Sequence, residues 1–362
     1  MTNQNTILGV DDTAALLKPE PNPSQPPLVR GGAGSALPLT RGSWRGFESN
    51  GLSVLKLLSR VFRPTSYFYV FAALALAACD QQPADKPLQY SNAPVGTQTP
   101  VNRLVPHPLY NPQKLSETFQ PLVDYLNRQV PSANIQLETS RDYQAFEKKF
   151  RAREGELLMP NPWQTLEAQK AGYHVISMWG DAADFKGIFI VRKDSGIKVP
   201  ANLKGKVVSY PSPTALAAAI MPQYFLHQNG IDINKDIQNN YVGSQESSIM
   251  NVYMGQSIAG ATWPPPWRLF QKDHPAEAAQ LKVMWETPSL INNSVMARDD
   301  VPQAIRDGVR QALLDLPNTP EGKQILAGME TARFHAADDA SYDVVRDYIN
   351  RFEKEVRPIE RK

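Results

Sequence analysis

Cysteine is almost absent from this chain of 362 residues, which has only Cys79. A single cysteine excludes an internal disulfide, so packing and hydrogen bonds must hold the fold together. Catalytic signatures are lacking too. There is no G-x-S-x-G motif and no Walker loop, and the five histidines show no metal-ligand spacing. These absences disfavour an enzyme and predict no metal ion or other cofactor.

An excess of charge of one sign is also lacking, because 38 Lys and Arg residues stand against 36 Asp and Glu residues. The basic residues are scattered rather than gathered into a stripe, which argues against a nucleic-acid partner. After residue 78, no apolar run is long enough to cross a bilayer as a helix. The composition therefore predicts an ordinary globular protein, which we expect to be a monomer.

The single cysteine closes a short apolar run that follows several basic residues, a pattern typical of an export signal. Leu76-Ala77-Ala78-Cys79 resembles the lipobox of bacterial lipoproteins. That resemblance implies cleavage before Cys79 and attachment of lipid to its sulfur. The apolar run from Tyr67 to Ala78 is too short for a membrane-spanning anchor, the alternative interpretation. We expect a lipoprotein signal peptide at residues 54–78 and a protein held by lipid on the periplasmic or cell-surface side of a membrane.

The rest of the amino-terminal region does not have the pattern of a domain. Residues 1–53 include a stretch rich in Pro, Gly and Ser, without apolar periodicity. No methionine follows Met1 until Met159. This region is therefore either a disordered extension or the product of a misassigned start, with translation beginning close to the export signal. Residues 79–100 are rich in Pro, Gln and Thr and predict a flexible tether.

From residue 101 onward, short strand-like apolar runs alternate with helical patterns. Alternation at this spacing predicts α/β units with parallel strands. The run Ile188–Arg192 leads into a second α/β series, and a later strand-like run leads into a helical tail. This order predicts one lobe from residues 101–192 and 290–362 and another from residues 193–289. A small ligand would bind in the cleft between them.

Several predicted helices open with a capping residue and a proline, directly after a strand. These openings are Asn111-Pro112, Asn161-Pro162, Ser212-Pro213 and Thr262-Trp263-Pro264. Each pair favours helix initiation by itself. At the carboxyl ends of parallel strands, however, the free N–H groups of helix starts also attract anions. Together these openings predict an anion site that needs no Lys or Arg.

Ser212-Pro213-Thr214 precedes an alanine-rich run and is the sharpest of these candidates. We expect a helix from Pro213 to about Gln228, with the hydroxyls of Ser212 and Thr214 turned toward a ligand. Small residues behind them would let the helix start come close to that ligand. The alternative is a helix that merely packs on a sheet.

A second polar turn runs from Gly243 to Ser248 between a strand and a helix. Gln245 and Ser247 are candidates to donate hydrogen bonds to an anion, and Glu246 is a candidate to hold an amine. The alternative is that these residues only cap the helix and complement its dipole.

Aromatic and polar residues at other helix starts are expected to line the same cleft. Thr262 and Trp263 begin a proline-stiffened segment that could form a ligand wall or a cation–π face, or simply pack on the core. Asn161 with Trp163, and Tyr143, mark two further helix starts.

Seven short stretches occur in a characteristic order: Pro121–Leu126, Asp142-Tyr143, Asn161-Pro162, Val191–Ile197, Leu203–Lys206, Gly230–Asp232 and Asn292-Asn293. Together they resemble the phosphonate-, phosphite- and phosphate-binding branch of type II periplasmic solute-binding proteins, over residues 101 to about 330. The resemblance implies a two-lobed α/β fold with a hinge cleft. It also implies capture of a small oxyanion for the membrane subunits of an ABC importer, without catalysis.

The resemblance places the oxyanion of the ligand at Ser212 and Thr214, with Tyr143 and either Gln245 or Glu246 as further contacts. A carboxylate common on a late strand of the family is missing here. Two other functions stay open. One is a ligand sensor that signals to a membrane histidine kinase, and the other is an extracytoplasmic enzyme with Glu246 as its base.

Overall fold

The computed structural model describes residues 100–360. The predicted extension, the signal peptide, Cys79 and nearly all of the tether lie outside the described residues. Within that range the chain folds into eleven strands and ten α-helices. None of the helices in this part of the chain has both the length and the apolar character that a membrane crossing needs.

The strands are β1 (Asn102–Pro106), β2 (Ile135–Leu137), β3 (Leu157–Met159), β4 (Tyr173–Trp179), β5 (Ile188–Arg192), β6 (Val207–Tyr210), β7 (Gln238–Tyr241), β8 (Ala259–Thr262), β9 (Leu281–Glu286), β10 (Ser294–Arg298) and β11 (Phe334–His335). The α-helices are α1 (Pro112–Gln129), α2 (Tyr143–Arg151), α3 (Pro162–Gln169), α4 (Met221–Gln228), α5 (Gln245–Tyr253), α6 (Pro264–Asp273), α7 (Pro275–Ala278), α8 (Gln303–Asp315), α9 (Pro320–Gly328) and α10 (Asp343–Glu355). A π-helical turn, Leu216–Ile220, runs directly into α4. Short 3₁₀ turns are Pro131–Ala133, Ala182–Asp184, Pro200–Leu203, Leu316–Asn318 and Asp339–Tyr342.

The strands form two sheets, and each sheet is the centre of one lobe. The first has the order β11-β4-β10-β3-β1-β2, and the second has the order β7-β6-β8-β5-β9. β1 is parallel to β2 and β3, and β6 is parallel to β7 and β8. β10 lies antiparallel between β3 and β4, and β5 lies antiparallel between β8 and β9. Each sheet is thus completed by an antiparallel strand, and the two-lobed α/β fold is confirmed.

Helix starts follow from local chemistry. The side chains of Asn111, Asp142, Asn161 and Ser244 each accept a hydrogen bond from the backbone N–H three residues later. These bonds satisfy donors that the first turn of a helix leaves without an internal partner. These helices begin shortly after Pro106, Leu137, Met159 and Tyr241, the last residues of β1, β2, β3 and β7. Their first turns therefore lie toward the carboxyl ends of the strands.

The first crossing between lobes differs from the predicted boundary at residue 192. β5 belongs entirely to the second sheet, so the chain leaves the first lobe between Trp179 and Ile188. An apolar run such as Ile188–Arg192 fits either sheet, because its pattern carries no information about its partner strand. The chain returns between Glu286 and Ser294.

The carboxyl-terminal tail does not stay on the first lobe, to which residues 290–362 had been assigned. Helix α10 packs on α3 of the first lobe. Its end reaches the second lobe, where the Tyr224 hydroxyl donates to Glu355 at 2.9 Å and Arg357 donates to Gln223 at 2.9 Å. An amphipathic helix pattern predicts a buried face but does not say how many partners bury it.

Candidate functional site

A small cavity lies where the two lobes meet. The first lobe contributes His107, Tyr143, Asn161 and Asn293, and the second contributes Ala215–Ala218, Gln245 and Trp263, while Phe185 comes from the first crossing. The volume of the cavity is about 10 Å³, which is room for roughly one water molecule. The lobes are therefore closed on each other, and a ligand of several atoms requires them to part.

The π-helical turn Leu216–Ile220, which runs into α4, forms one wall of this cavity. The first N–H groups of a helix have no acceptor within it, and the residues of this first turn, Leu216, Ala217 and Ala218, line the cavity. Close packing depends on Gly187, because a Cβ there would lie 2.6 Å from the carbonyl oxygen of Ala217. The helix begins at Leu216 rather than at Pro213 as expected, because Ala215 still has extended backbone, φ −73° and ψ 100°.

The later helix start affects where Ser212 and Thr214 lie relative to the cavity. Both are buried, but neither is among the cavity-lining residues of the described chain. The Thr214 hydroxyl donates to Glu147 Oε1 at 2.6 Å, and Ser212 Oγ lies 3.0 Å from Thr214 Oγ1. In this closed arrangement the Thr214 hydroxyl joins the lobes, and the Ser212 hydroxyl contacts Thr214 within its own lobe.

Glu147, which was not a candidate from the sequence, is the first-lobe partner of this contact. Its carboxylate accepts hydrogen bonds from Thr214, from Gln164 Nε2 at 3.2 Å and from Arg151 at 3.4 Å. Burial raises the pKa of Glu147, and the hydrogen bonds from Thr214 and Gln164 oppose that rise. The sequence could have indicated Glu147 as a residue near the cleft. It follows Tyr143 by four residues and therefore lies on the same face of α2.

Tyr143 and Gln245 meet as expected, although they are 102 residues apart. Gln245 Nε2 donates to the Tyr143 hydroxyl at 3.1 Å, while Gln245 Oε1 accepts from Thr262 Oγ1 at 2.8 Å. Since the tyrosine oxygen already accepts this bond, its own proton remains for a group in the cavity. Burial raises the pKa of Tyr143, so the hydroxyl stays protonated.

The other aromatic and amide candidates have different positions. Asn161 caps α3 and also donates to the Thr214 carbonyl at 3.1 Å, so it too bridges the lobes. Trp263 lines the cavity and packs against Phe185, with 5.7 Å between ring centroids. Trp163 is buried, but it is not among the lining residues of the described chain.

Glu246 and Ser247 are not brought to this cavity. The Ser247 N–H donates to the capping hydroxyl of Ser244 at 3.1 Å. Glu246 faces His274, with 3.3 Å between carboxylate and ring nitrogen. Glu246 and His274 line a second cavity, of about 180 Å³, whose lining also includes Lys114 and Asp273. Glu246 is therefore not placed to hold an amine beside Tyr143.

His107 and Asn293 line the cavity and were not predicted to do so. His107 Nδ1 lies 2.9 Å from the carbonyl oxygen of Met159, and burial lowers the pKa of His107 to about 4. The Asn293 side chain is fully buried, and neither its Oδ1 nor its Nδ2 has a hydrogen-bond partner among residues 100–360. Asn293 belongs to the last of the seven ordered stretches, which indicated the family but did not mark Asn293 as a binding residue.

The sequence is similar to a known family and to two curated proteins. It matches the family described as ABC transporter, phosphonate, periplasmic substrate-binding protein, over residues 104–342. It is 28% identical over 178 residues to a probable ABC transporter phosphite binding protein of Prochlorococcus marinus, covering 45% of this chain and 60% of that protein. It is 20% identical over 163 residues to the phosphonates-binding periplasmic protein of Escherichia coli. This match covers 44% of this chain and 48% of that protein. The matches thus span less than two thirds of these curated relatives.

Solved structures have the same fold. The TM-score is 0.66, at 19% identity, with a binding protein component of an ABC phosphonate transporter from Pseudomonas aeruginosa, covering 71% of this chain and 88% of that one. The TM-score is 0.65, at 22% identity, with a Prochlorococcus marinus protein in complex with methylphosphonate. This match covers 71% of this chain and 100% of that one. Because the family match extends over more than half of the chain, this protein belongs to the phosphonate-type periplasmic substrate-binding family of ABC transporters.

Proposed function

We propose that this protein captures a small phosphonate-type oxyanion outside the cytoplasm and delivers it to the membrane subunits of an ABC importer. The observation that carries the proposal is the composition of the cavity wall. Hydrogen-bond donors from both lobes face it, and among the described residues no Lys, Arg, Asp or Glu lines it. The family match and the relatives named for phosphite and phosphonate binding support this ligand class.

The anion is held by dipoles rather than by a fixed positive charge. The N–H groups of Leu216–Ala218 point their positive ends at it, and the Tyr143 hydroxyl donates from the opposite lobe. In a site closed to water, such oriented donors interact with a charge more strongly than they would in solvent. Because the ligand would contact both lobes, its binding favours the closed arrangement over an open one.

The Tyr143 hydroxyl provides a direct test. Replacing Tyr143 by Phe removes one donor to a bound anion, a loss of about 1.5–3 kcal/mol. The dissociation constant for methylphosphonate or phosphite should therefore rise about tenfold to a hundredfold in titration calorimetry. Tyr253→Phe is the matched control, since this tyrosine is not a lining residue, and it should bind as the wild type does.

The wild-type protein should be titrated with phosphite, methylphosphonate and phosphate in the same experiment. Binding of none of these by a folded protein would refute the proposed function. Equal binding by the Tyr143→Phe variant and the wild type would refute the role of Tyr143 but leave the ligand class standing.

We also propose that Cys79 carries the lipid that holds the protein at the membrane. Its support is the sequence Leu76-Ala77-Ala78-Cys79 after a basic and apolar leader. Cys79→Ser should abolish lipid labelling and move the protein from the membrane fraction to the soluble fraction. Unchanged membrane attachment of that variant would contradict the proposal.

The alternative of an enzyme with Glu246 as base loses its support. Glu246 does have a second titratable group beside it, His274, but the pair lies in the second cavity. Members of this family bind their substrates rather than convert them. A sensor would use the same oxyanion site, so the binding tests above apply to it without change.

A further inference from the structure

We propose that the cavity selects the singly protonated form of its oxyanion, and that His107 is the residue that recognises the proton. This inference rests on the proposed function and concerns the same cavity. It adds a specificity-determining residue that accepts a hydrogen bond from a P–OH group of the ligand. No proton is transferred: it stays on the ligand oxygen and is shared with a ring nitrogen.

The hydrogen bond to Met159 determines which nitrogen of His107 accepts. A carbonyl oxygen can only accept, so His107 Nδ1, 2.9 Å from it, must carry the hydrogen. In the neutral ring, Nε2 is then an acceptor. Burial keeps the ring neutral by lowering the pKa of His107 to about 4. His107 lines the cavity, and within residues 100–360 its Nε2 has no hydrogen-bond partner.

The groups around the His107 ring are consistent with a neutral ring whose Nε2 accepts. Tyr143 faces it from α2, with 6.0 Å between centroids, and Trp179 faces it from β4, at 6.2 Å. Tyr143 is protonated and uncharged. The carboxylate of Glu147, one turn further along α2, is bonded to Thr214 and Gln164. His107 and Tyr143 are therefore the titratable groups of the described chain that line the cavity.

Asn293 supplies the independent sign that a ligand belongs here. Its side chain is fully buried and lines the cavity, yet Oδ1 and Nδ2 both lack partners in the described part of the chain. A buried polar atom that lacks a partner has a cost in stability, because it has lost its hydrogen bonds to water. A bound oxyanion recovers that cost at Nδ2, because its bare oxygens accept from this amide, and its single hydroxyl hydrogen remains for His107.

The mixture of donors and acceptors then determines the preferred form of the ligand. The helix N–H groups, the Tyr143 hydroxyl and Asn293 Nδ2 all require acceptors, which the bare oxygens provide. His107 Nε2 requires a donor. A fully deprotonated oxyanion would place an oxygen lone pair against the nitrogen lone pair, whereas the monoprotonated form offers a hydrogen. Two lone pairs that face each other repel, and His107 Nε2 would stay buried without a hydrogen-bond donor.

Methylphosphonate and methanesulfonate make the sharpest ligand pair. They have nearly the same shape, and at mildly acidic pH both carry one negative charge, but only methylphosphonate has an O–H to donate. Titration calorimetry of the wild-type protein should give methylphosphonate an affinity at least about tenfold higher, the value of one hydrogen bond to a charged group. Above the second pKa of methylphosphonate, its affinity should fall about tenfold for each pH unit.

The variant His107→Gln tests the residue itself. A glutamine amide can turn its NH₂ toward the ligand, so the variant should bind methanesulfonate more tightly than the wild type and lose most of the pH slope. His227→Gln is the matched control, because His227 is half-exposed and is not a lining residue. It should keep both the discrimination and the slope.

The outcomes separate this inference from the proposed function. If the wild type binds phosphite and methylphosphonate but takes methanesulfonate equally well, with no pH slope, proton recognition is wrong and oxyanion capture stands. If it binds no oxyanion, both are wrong. Since the ligand pair and the pH series use the wild-type protein, the test holds even where His107→Gln does not fold.

Discussion

The lobes are joined by two sets of contacts that differ in burial and charge. The inner contacts, beside the cavity, are hydrogen bonds between buried side chains: Thr214 with Glu147, Asn161 with the Thr214 carbonyl, and Gln245 with Tyr143. The outer contacts are ion pairs from α6 to the first lobe: Lys114 with Asp273 at 2.9 Å, Arg268 with Glu330 at 3.1 Å, and Lys272 with Glu330.

This difference predicts different responses to mutation and to solvent. A buried group that loses its partner keeps its desolvation cost, whereas a partly exposed ion pair loses little and is screened by salt. The side chains of Lys114 and Asp273 are 30% and 41% exposed, whereas that of Glu330 is 8% exposed. We infer that the buried contacts determine how the closed lobes fit together, and that the Lys114–Asp273 pair adjusts the closed state according to ionic strength.

The largest expected effect is that of Glu147→Ala. The change leaves Thr214 Oγ1 and Gln164 Nε2 buried without their acceptor, at a cost of about 1–3 kcal/mol for each. The free energy of unfolding, measured by urea denaturation, should fall by about 2–6 kcal/mol. Glu147→Gln keeps an acceptor oxygen and should lie much closer to the wild type. A loss no larger than that of a surface substitution would contradict the inner role of Glu147.

Glu147→Gln should also change the dependence of stability on pH. The folded state holds the proton of Glu147 at a pH where the unfolded chain, with a pKa near 4.5, has lost it. The contribution of this group to the free energy of unfolding is therefore present at low pH. It declines as pH rises above 4.5 through the raised folded pKa. Thermal melting across this window should show that contribution in the wild type and not in Glu147→Gln.

His107 should make the protein sensitive to acid. Its pKa is about 4 in the folded state against 6.5 in the unfolded chain, so the unfolded state binds the additional proton between these values. Stability from this group is present above pH 6.5 and is lost as pH falls toward 4, by at most about 3 kcal/mol. A urea-denaturation series at several pH values should show this loss in the wild type. His107→Gln should lack it, and an equal loss in both would contradict the assignment.

Glu330 should have an intermediate effect that depends on its replacement. It has a left-handed backbone, φ 52°, just after α9, where glycine is the usual residue. Glu330→Ala loses the pairs with Arg268 and Lys272 and keeps the strain. Glu330→Gly loses the pairs but relieves about 1 kcal/mol of strain. Urea denaturation should therefore find Glu330→Gly the more stable variant, and the reverse order would contradict this explanation.

The smallest effect is expected for Lys114→Met, which removes the pair with Asp273. A partly exposed ion pair contributes about 0–1 kcal/mol. The difference in unfolding free energy between this variant and the wild type should vanish at high salt, whereas the cost of Glu147→Ala should not. If both costs fell equally with salt, the distinction between inner and outer contacts would be wrong.

Much of the architecture could be predicted because it depends on neighbours in sequence. Asn111 and Asn161 cap helices through residues three positions away, and each is followed by a proline that already has a helical φ. The alternation of strand and helix patterns predicted two α/β lobes. The ordered motifs were enough to identify the family, although no single stretch was.

The site could be predicted only in part, since its contacts join distant residues. Tyr143 and Gln245 could be placed together because both follow strands, where helix starts gather at one edge of a sheet. The sheet to which β5 belongs, and the shift of the helix start to Leu216, depend on packing that the local pattern does not encode. The tertiary structure alone decided that Thr214 meets Glu147 and that His107 and Asn293 face a cavity. A buried polar group acquires its role from whatever the opposite lobe presents to it.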